Sequence, residues 1–339
     1  MKTYNWAVLG CGVIANQLAQ AMNKQGRHLY AVGNRTREKA VEFALKYKVG
    51  KIYDDFHEMF TDPAVDIIYI TTPHNTHLPF LLQALTNGKH VLCEKAITLN
   101  SDELKQAVET AKEHHVVLAE AMTLFHMPLY KELEKLVRSG ELGPLRLIQM
   151  NFGSYKEYDM HNRFFNRSLA GGALLDIGVY AISFVRWFMS ETPGQITSQV
   201  KFAPTGVDEQ AGILLMNDHQ EMAALSLSLH AKQPKRGTVV FDQGFIEIME
   251  YPRAEKAVIT YTRDGSQRTI EAGSTEDALL YEILDMEKAV SGSTQDMHLD
   301  YTIDVMDIMS RLRRDWNMKY PEEETAAIPA SPSQTSQDS

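Results

Sequence analysis

The 339 residues carry 34 Lys+Arg against 44 Asp+Glu, a formal net charge of −10, with 44% apolar residues and 2 Cys. At roughly 100–200 residues per domain this length predicts two domains, and the acidic balance, with no local Lys/Arg block, argues against a nucleic-acid partner, whose phosphates need cationic side chains. Cys11 and Cys93 are too few for a disulfide scaffold and the first residues show no export pattern, so a reducing cytoplasm is the expected compartment.

Over residues 4–120 short apolar runs alternate with helical patterns, as in the βαβ units of a parallel sheet. Strands are expected at Tyr4–Leu9, His28–Gly33, Ile67–Ile70, His90–Cys93 and Val116–Glu120, and helices at Ile14–Asn23, Arg37–Lys46 and Leu78–Asn87. Thr36 is the expected N-cap of the second helix, and Gly88 the C-terminal stop of the third. Asn100 and Glu103 have the spacing of a capping box for a further helix.

After about residue 124 the pattern changes. A helix follows Pro128, Gly140–Pro144 breaks it, and Leu145–Phe152 then alternates Ile148, Met150 and Phe152 with Gln149 and Asn151, as in a sheet with unlike faces. The apolar stretch Gly171–Met189 is nearly long enough to span a membrane, for which about 20 residues are needed. Asp176 and Arg186 interrupt it, which suits a buried core helix better than a lipid-facing one. Strands follow near Ile196–Phe202, Gln210–Met216, Glu221–Leu229, Thr238–Phe241, Phe245–Met249, Ala257–Thr262 and Gln267–Glu271, then helices at Glu276–Ser291 and Tyr301–Asn317. The expected fold is α/β: a Rossmann parallel sheet over 1–123, then an α+β domain over 124–320 with an open, mostly antiparallel sheet, and a disordered tail over 321–339.

Gly10-Cys11-Gly12-Val13-Ile14-Ala15 leaves the first strand and opens the first helix. There the first glycine permits a tight turn, the second lets a pyrophosphate approach, and the helix N-terminus supplies N–H donors. In a bare strand-to-helix turn the same residues need bind nothing. The second strand ends in Asn34-Arg35-Thr36-Arg37, with guanidiniums where a ribose-binding acid would stand. NADP(H) is therefore favoured, with NAD(H) left open. Alternatively Arg35 stacks on an adenine and Arg37 is merely solvated.

Four segments in this order, Gly10–Ala15, Thr71-Thr72-Pro73-His74-Asn75-Thr76-His77, Gly88–Lys95 and Gly171–Tyr180, resemble the Gfo/Idh/MocA (glucose–fructose oxidoreductase / inositol dehydrogenase) family over residues 4–317. Phe165–Tyr180 and Thr205–Gln210 are most similar to its dimeric dihydrodiol dehydrogenase branch. The resemblance implies cofactor contacts from Gly10, Gly12, Val13, Ile14, Asn34, Arg35, Arg37, Thr71, Thr72, Pro73, Asn75, His77, Glu94 and Lys95, and a catalytic set of Lys95, Asp176 and Tyr180. It also implies homodimers or higher homo-oligomers through the second sheet, a small-molecule substrate, and no metal.

The implied chemistry is reversible hydride transfer at a hydroxyl or carbonyl of a sugar, polyol or dihydrodiol-like substrate. Asp176 and Tyr180, four apart, would share a helix face, and a Lys95 ammonium nearby is expected to make the Tyr180 phenol more acidic. His126, Tyr155, Tyr158, His161 and Arg163 are further cleft candidates, equally readable as loop surface. Ala96 replaces the family's proline, so a trans Lys95–Ala96 bond is expected, since non-proline cis bonds cost about 2.5–4 kcal/mol. Thr123–Pro128 departs from the branch's usual Trp-Arg sequence, which favours a polyol or sugar at least as much as an aromatic diol. Two other classes remain: a glycosidase using transient redox at a retained NAD⁺, and a non-catalytic dinucleotide sensor.

Overall fold

The computed structural model describes residues 3–294 and 297–325. β1 (Trp6–Leu9), β2 (Ala31–Gly33), β3 (Lys51–Tyr53), β4 (Ile67–Ile70), β5 (His90–Glu94) and β6 (Leu118–Ala121) form a parallel sheet in the order β3-β2-β1-β4-β5-β6. Every residue of β1 and β4 is buried, which is why these strands read as continuous apolar runs and not as alternations. Between the strands run α1 (Val13–Lys24), α2 (Arg37–Tyr47), α3 (Phe56–Thr61), α4 (His77–Thr86) and α5 (Ser101–Glu113). The strand order reverses between β1 and β4, and the crevice at their C-terminal ends is where such sheets take ligands.

Local chemistry matches the sequence in places and departs from it in others. Asn100 Oδ1 accepts from Glu103 N at 2.9 Å, while the Glu103 carboxylate accepts from Leu99 N at 2.9 Å, one residue upstream of the expected capping-box partner. Thr36 stands at the N-cap of α2 but makes no side-chain capping bond. β3 and α3 are absent from the sequence reading, because neither has enough buried residues to set a period.

The second half opens with α6 (Thr123–His126) and α7 (Pro128–Arg138), then β7 (Leu145–Gly153), α8 (Val179–Phe188), β8 (Gln195–Phe202), β9 (Asp208–Met216) and β10 (Met222–Ser228). β11 (Gln233–Phe241), β12 (Gly244–Met249), β13 (Lys256–Tyr261) and β14 (Gln267–Glu271) complete an eight-stranded sheet in the order β14-β13-β12-β11-β7-β10-β9-β8. The pairing of β7 with β10 is parallel, and the other pairings are antiparallel. The helices lie on one face of this sheet. Phe184 of α8 seats directly on Gly237 of β11, where an added Cβ would lie 2.4 Å from the ring. The segment Arg167–Phe188 is apolar and long enough to cross a membrane, yet 78% of its most apolar window is buried inside the fold.

α9 (Ala278–Val290) crosses back to the first sheet, where Leu279, Ile283 and Met286 join the core around Trp6, Leu18 and Tyr69. α10 (Leu299–Asp315) packs on α8 and α5. The expected disordered tail begins too early: Pro321–Thr325 forms a short helix, α11, and residues 326–339 lie outside the described residues. α11 is held because buried Arg313 of α10 donates to both Glu323 carboxylate oxygens, at 2.8 and 2.7 Å.

Candidate active site

At the end of β1 the chain turns through Gly10, whose φ of +109° suits glycine and whose missing Cβ would lie 2.5 Å from Thr71 Oγ1. Gly10 N donates to Gly33 O, and Thr71 N to Leu9 O, tying the ends of β1, β2 and β4 together. Gly12 is the N-cap of α1; no side chain caps that helix, no acid occupies its first turn, and a Cβ at Gly12 would meet no protein atom within 4 Å. These uncapped amides facing open space fit a dinucleotide pyrophosphate. Val13 is exposed and Ile14 half-buried at the same helix start.

The cleft continues past Asn34, Arg35, Thr36 and Lys39 on one side and Thr71, Thr72 and Pro73 on the other. Arg35 is exposed, whereas Arg37 pairs with Asp54. Asn75 Nδ2 donates 2.7 Å to Glu322 of α11, which engages it outside the cleft. His77 is fully buried, with Nε2 2.8 Å from Thr72 O and Nδ1 3.2 and 3.1 Å from Ala96 O and Ile97 O. It braces the backbone under Lys95.

That backbone corrects an expectation: the Lys95–Ala96 peptide is cis. Contacts on every side of the segment set its path. Besides the His77 contacts, His74 Nε2 lies 3.1 Å from Lys95 O, and Ile97 N donates 3.0 Å to the buried Glu120 carboxyl.

Lys95 Nζ donates to Asp176 O at 2.7 Å and lies 3.5 Å from Asp176 Oδ1. Arg163 stands 3.7 Å from the same oxygen. Asp176 belongs to a single π-helical turn, Leu174–Gly178, that leads into α8. Such wide turns recur at functional sites. Burial acts to raise the Asp176 pKa, yet Lys95, with Arg163 and His74 behind it, holds the carboxyl below its ordinary value. Arg186, the other charge in the apolar stretch, pairs with Asp304 at 2.6 Å. Each of the two charges thus has its own partner.

Lys95 Nζ lies 4.9 Å from the centre of the Tyr180 ring, over its face. The expectation that lysine acidifies this phenol fails. Burial, and after it the Glu94 carboxyl, push Tyr180 well above the ordinary phenol value, with Arg253 opposing. Glu94 itself accepts from the Tyr69 hydroxyl and is raised by burial. Burial also holds His74 down to about 3, a neutral imidazole.

The remaining cleft candidates separate. Arg163 is at the site. His126 is not: its ring is buried against α9, with Nδ1 3.1 Å from Asp285. The Tyr158 hydroxyl donates 2.7 Å to Glu209, Tyr155 stacks on His230 at 5.7 Å, and His161 is exposed. Cys93 is buried and burial raises its thiol pKa; burial pushes Cys11 up to about 11.

Several residues at the site have no mark in the sequence. Lys156 stands 4.1 Å over the Phe164 ring, and Lys235 of β11 5.4 Å over Phe152, itself 6.2 Å from Tyr180. Glu282 of α9 is fully buried beside Glu94, neither of its oxygens has a hydrogen-bond partner among the described residues, and burial raises its pKa strongly. The one available signal was helical period, which marks Glu282 as an inward position of α9 beside Leu279, Ile283 and Met286.

Residues 4–122 match the profile described as "Oxidoreductase family, NAD-binding Rossmann fold", and residues 130–247 match the GFO/IDH/MocA C-terminal domain. The chain is 32% identical over 247 residues to a trans-1,2-dihydrobenzene-1,2-diol dehydrogenase of Xenopus tropicalis, covering 72% of this chain and 74% of that protein. The Homo sapiens protein of the same name is 29% identical over 248 residues, with 72% and 74% covered. Among solved structures, a 3-ketoreductase from Actinomadura kijaniata with NADP and TDP-benzene superposes with a TM-score of 0.82 at 19% identity, covering 92% of this chain and 98% of that one. Levoglucosan dehydrogenase with NADH and levoglucosan gives a TM-score of 0.83 at 17% identity, covering 93% and 98%. With a glycine turn and an uncapped helix at one end of its cleft, a Lys95–Asp176–Tyr180 cluster at the other, and both domain profiles matched in order, the chain belongs to the Gfo/Idh/MocA family of NAD(P)-binding oxidoreductases.

Proposed function

We propose that this chain is an NAD(P)-dependent dehydrogenase/reductase that interconverts a hydroxyl and a carbonyl on a sugar, polyol or diol-like substrate. The observation that carries the reading is the convergence of Lys95, Asp176 and Tyr180 beyond the C-terminal end of β5, on the side of the sheet where the Gly10 turn opens. A nicotinamide, when bound, would supply the carbon that accepts or returns the hydride. Lys95 directs its ammonium at the substrate oxygen and stabilises the negative charge that develops there. Tyr180, kept protonated by burial, gives its proton to that oxygen during reduction, leaving a tyrosinate that solvent reprotonates; oxidation is the reverse, with the substrate's proton passing to the tyrosinate form. Asp176 holds Lys95 in place through two contacts and carries Arg163 beside it.

NADP(H) is the favoured cofactor: exposed Arg35 and Lys39 flank the cleft where a 2′-phosphate would lie, and Arg37 is already engaged by Asp54. A homo-oligomer contact is assigned to the open face of the second sheet, where Leu214, Met222 and Met249 are exposed. Two unpaired thiols, in different surroundings, suit a reducing cytoplasm. The test is cofactor reduction, followed by nicotinamide absorbance, across a panel of sugars, polyols and diols. Tyr180→Phe and Lys95→Met should each lower kcat by about 10²–10⁴-fold. Undiminished turnover in the double variant Lys95→Ala, Tyr180→Phe would sink the assignment.

A further inference from the structure

Around Asp176 the cleft gathers more cations than that one carboxylate balances. Asp176 is shared between Lys95 and Arg163, at 3.5 and 3.7 Å. Lys235 is paired with Glu250 at 3.1 Å on the outer side. Lys156 has no carboxylate within 4 Å among the described residues, yet its charge is felt together with those of Arg163, Lys95 and Lys235. Burial, reinforced by these three cations, lowers its pKa even with Asp176 opposing.

The geometry keeps these cations together. Lys156 Nζ and the Arg163 guanidinium each lie 4.1 Å from the centre of the same Phe164 ring, so one aromatic side chain holds both, with Arg163 reaching Asp176. Cation–π contact positions such groups without neutralising them. They sit on the segment after β7, in the second half of the chain, whereas the cofactor's phosphates belong to the α1 end with Arg35 and Lys39. A neutral diol would leave Lys156 without a counter-charge and Arg163 sharing Asp176 with the Lys95 ammonium. An anion would relieve that repulsion and form charge-assisted hydrogen bonds, the strong kind.

We infer that the substrate carries an anionic group, a carboxylate or a phosphate ester, bound by Lys156 and Arg163 next to the carbinol on which Lys95 and Tyr180 act. This rests on the hydride-transfer reading of the same site. The experiment titrates the full chain, loaded with NADPH, with gluconate and glucose 6-phosphate and with their uncharged counterparts glucitol and glucose, by calorimetry, and then measures turnover of each with the matching cofactor form. An anionic probe should bind at least about tenfold tighter than its uncharged counterpart, as expected for one charge-assisted contact. The better of gluconate and glucose 6-phosphate identifies the group. Lys156→Gln and Arg163→Gln should each reduce the anion-to-neutral ratio toward one, and Lys156→Arg should keep it. Equal binding of charged and uncharged probes, no binding of either anion, or a ratio unmoved in both Gln variants overturns the inference. Anion binding that depends on Lys156 without nicotinamide turnover upholds the charge class and contradicts the hydride-transfer reading. Turnover of uncharged probes without anion binding does the reverse.

Discussion

Tyr180 and Lys95 meet through the face of a ring, and the roles proposed for them rest on that contact. A lysine beside the phenolic oxygen would favour tyrosinate. One placed 4.9 Å from the ring centre, with Glu94 and Glu282 among the groups the phenol feels, leaves a neutral hydroxyl, the proposed proton donor, and a separate ammonium, the proposed oxyanion partner. Residue environments also set the pH response of the fold. Asp208 is fully buried, accepts from Leu174 N at 2.6 Å, and is pushed up to about 7, chiefly by burial. An unfolded Asp titrates near pH 4, so between about pH 4 and 7 the folded chain binds the extra proton. The stability this carboxyl contributes is complete below its unfolded pKa and is lost as pH rises through about 7. Asp208→Asn, which stays neutral, should therefore gain stability relative to the parent as pH rises from about 5 to 8, measured by urea unfolding. A difference independent of pH contradicts the assignment. Lys95, Asp176 and Tyr180 were legible because short motifs mark them. Lys156, Lys235 and Glu282 were not, because only the tertiary fold brings a loop, β11 and α9 to the same place.

At the scale of elements, the strands of both sheets were readable because burial imposes a period: continuous in β1 and β4, alternating in β7 with Ile148, Met150 and Phe152 inward. β3 and α3 were missed for lack of such a period, and α11 because its stability comes from Arg313, another element's side chain. The π-helical turn at Leu174–Gly178 leaves no compositional trace, although it carries Asp176. The corner between β2 and α2 is where the proposed preference for NADP(H) can be tested. Arg35 there is free of any carboxylate partner among the described residues, while Arg37 is engaged by Asp54. Arg35→Ala should raise the Kd for NADPH by about tenfold or more, the value of one charge-assisted contact, and change that for NADH by less than about threefold, as read by fluorescence titration. Equal losses for both cofactors contradict the 2′-phosphate role.

The whole molecule is two sheets joined by a returning helix. α9 leaves the second sheet, completes the core of the first with Leu279, Ile283 and Met286, and carries Glu282 to the side of Glu94. The substrate end and the cofactor end are thereby held to one framework by packing. Among the described residues nothing covers the other face of the second sheet: Leu214, Met222 and Met249 lie exposed along it. Stable interfaces bury about 1,200–2,000 Å², and a sheet of eight strands can provide that. Sedimentation at micromolar concentration should show a dimer or larger species, and a monomer alone contradicts that placement. The reaction itself is tested most directly by following the hydride. With each 4-deuterated epimer of NADPH and a carbonyl substrate found in the panel, one epimer should deliver its deuterium to the product's carbinol carbon with a primary isotope effect, and the transfer should vanish in the double variant Lys95→Ala, Tyr180→Phe. Product formation with deuterium absent from carbon in both cases, or hydrolysis with the label still on the cofactor, would contradict the account.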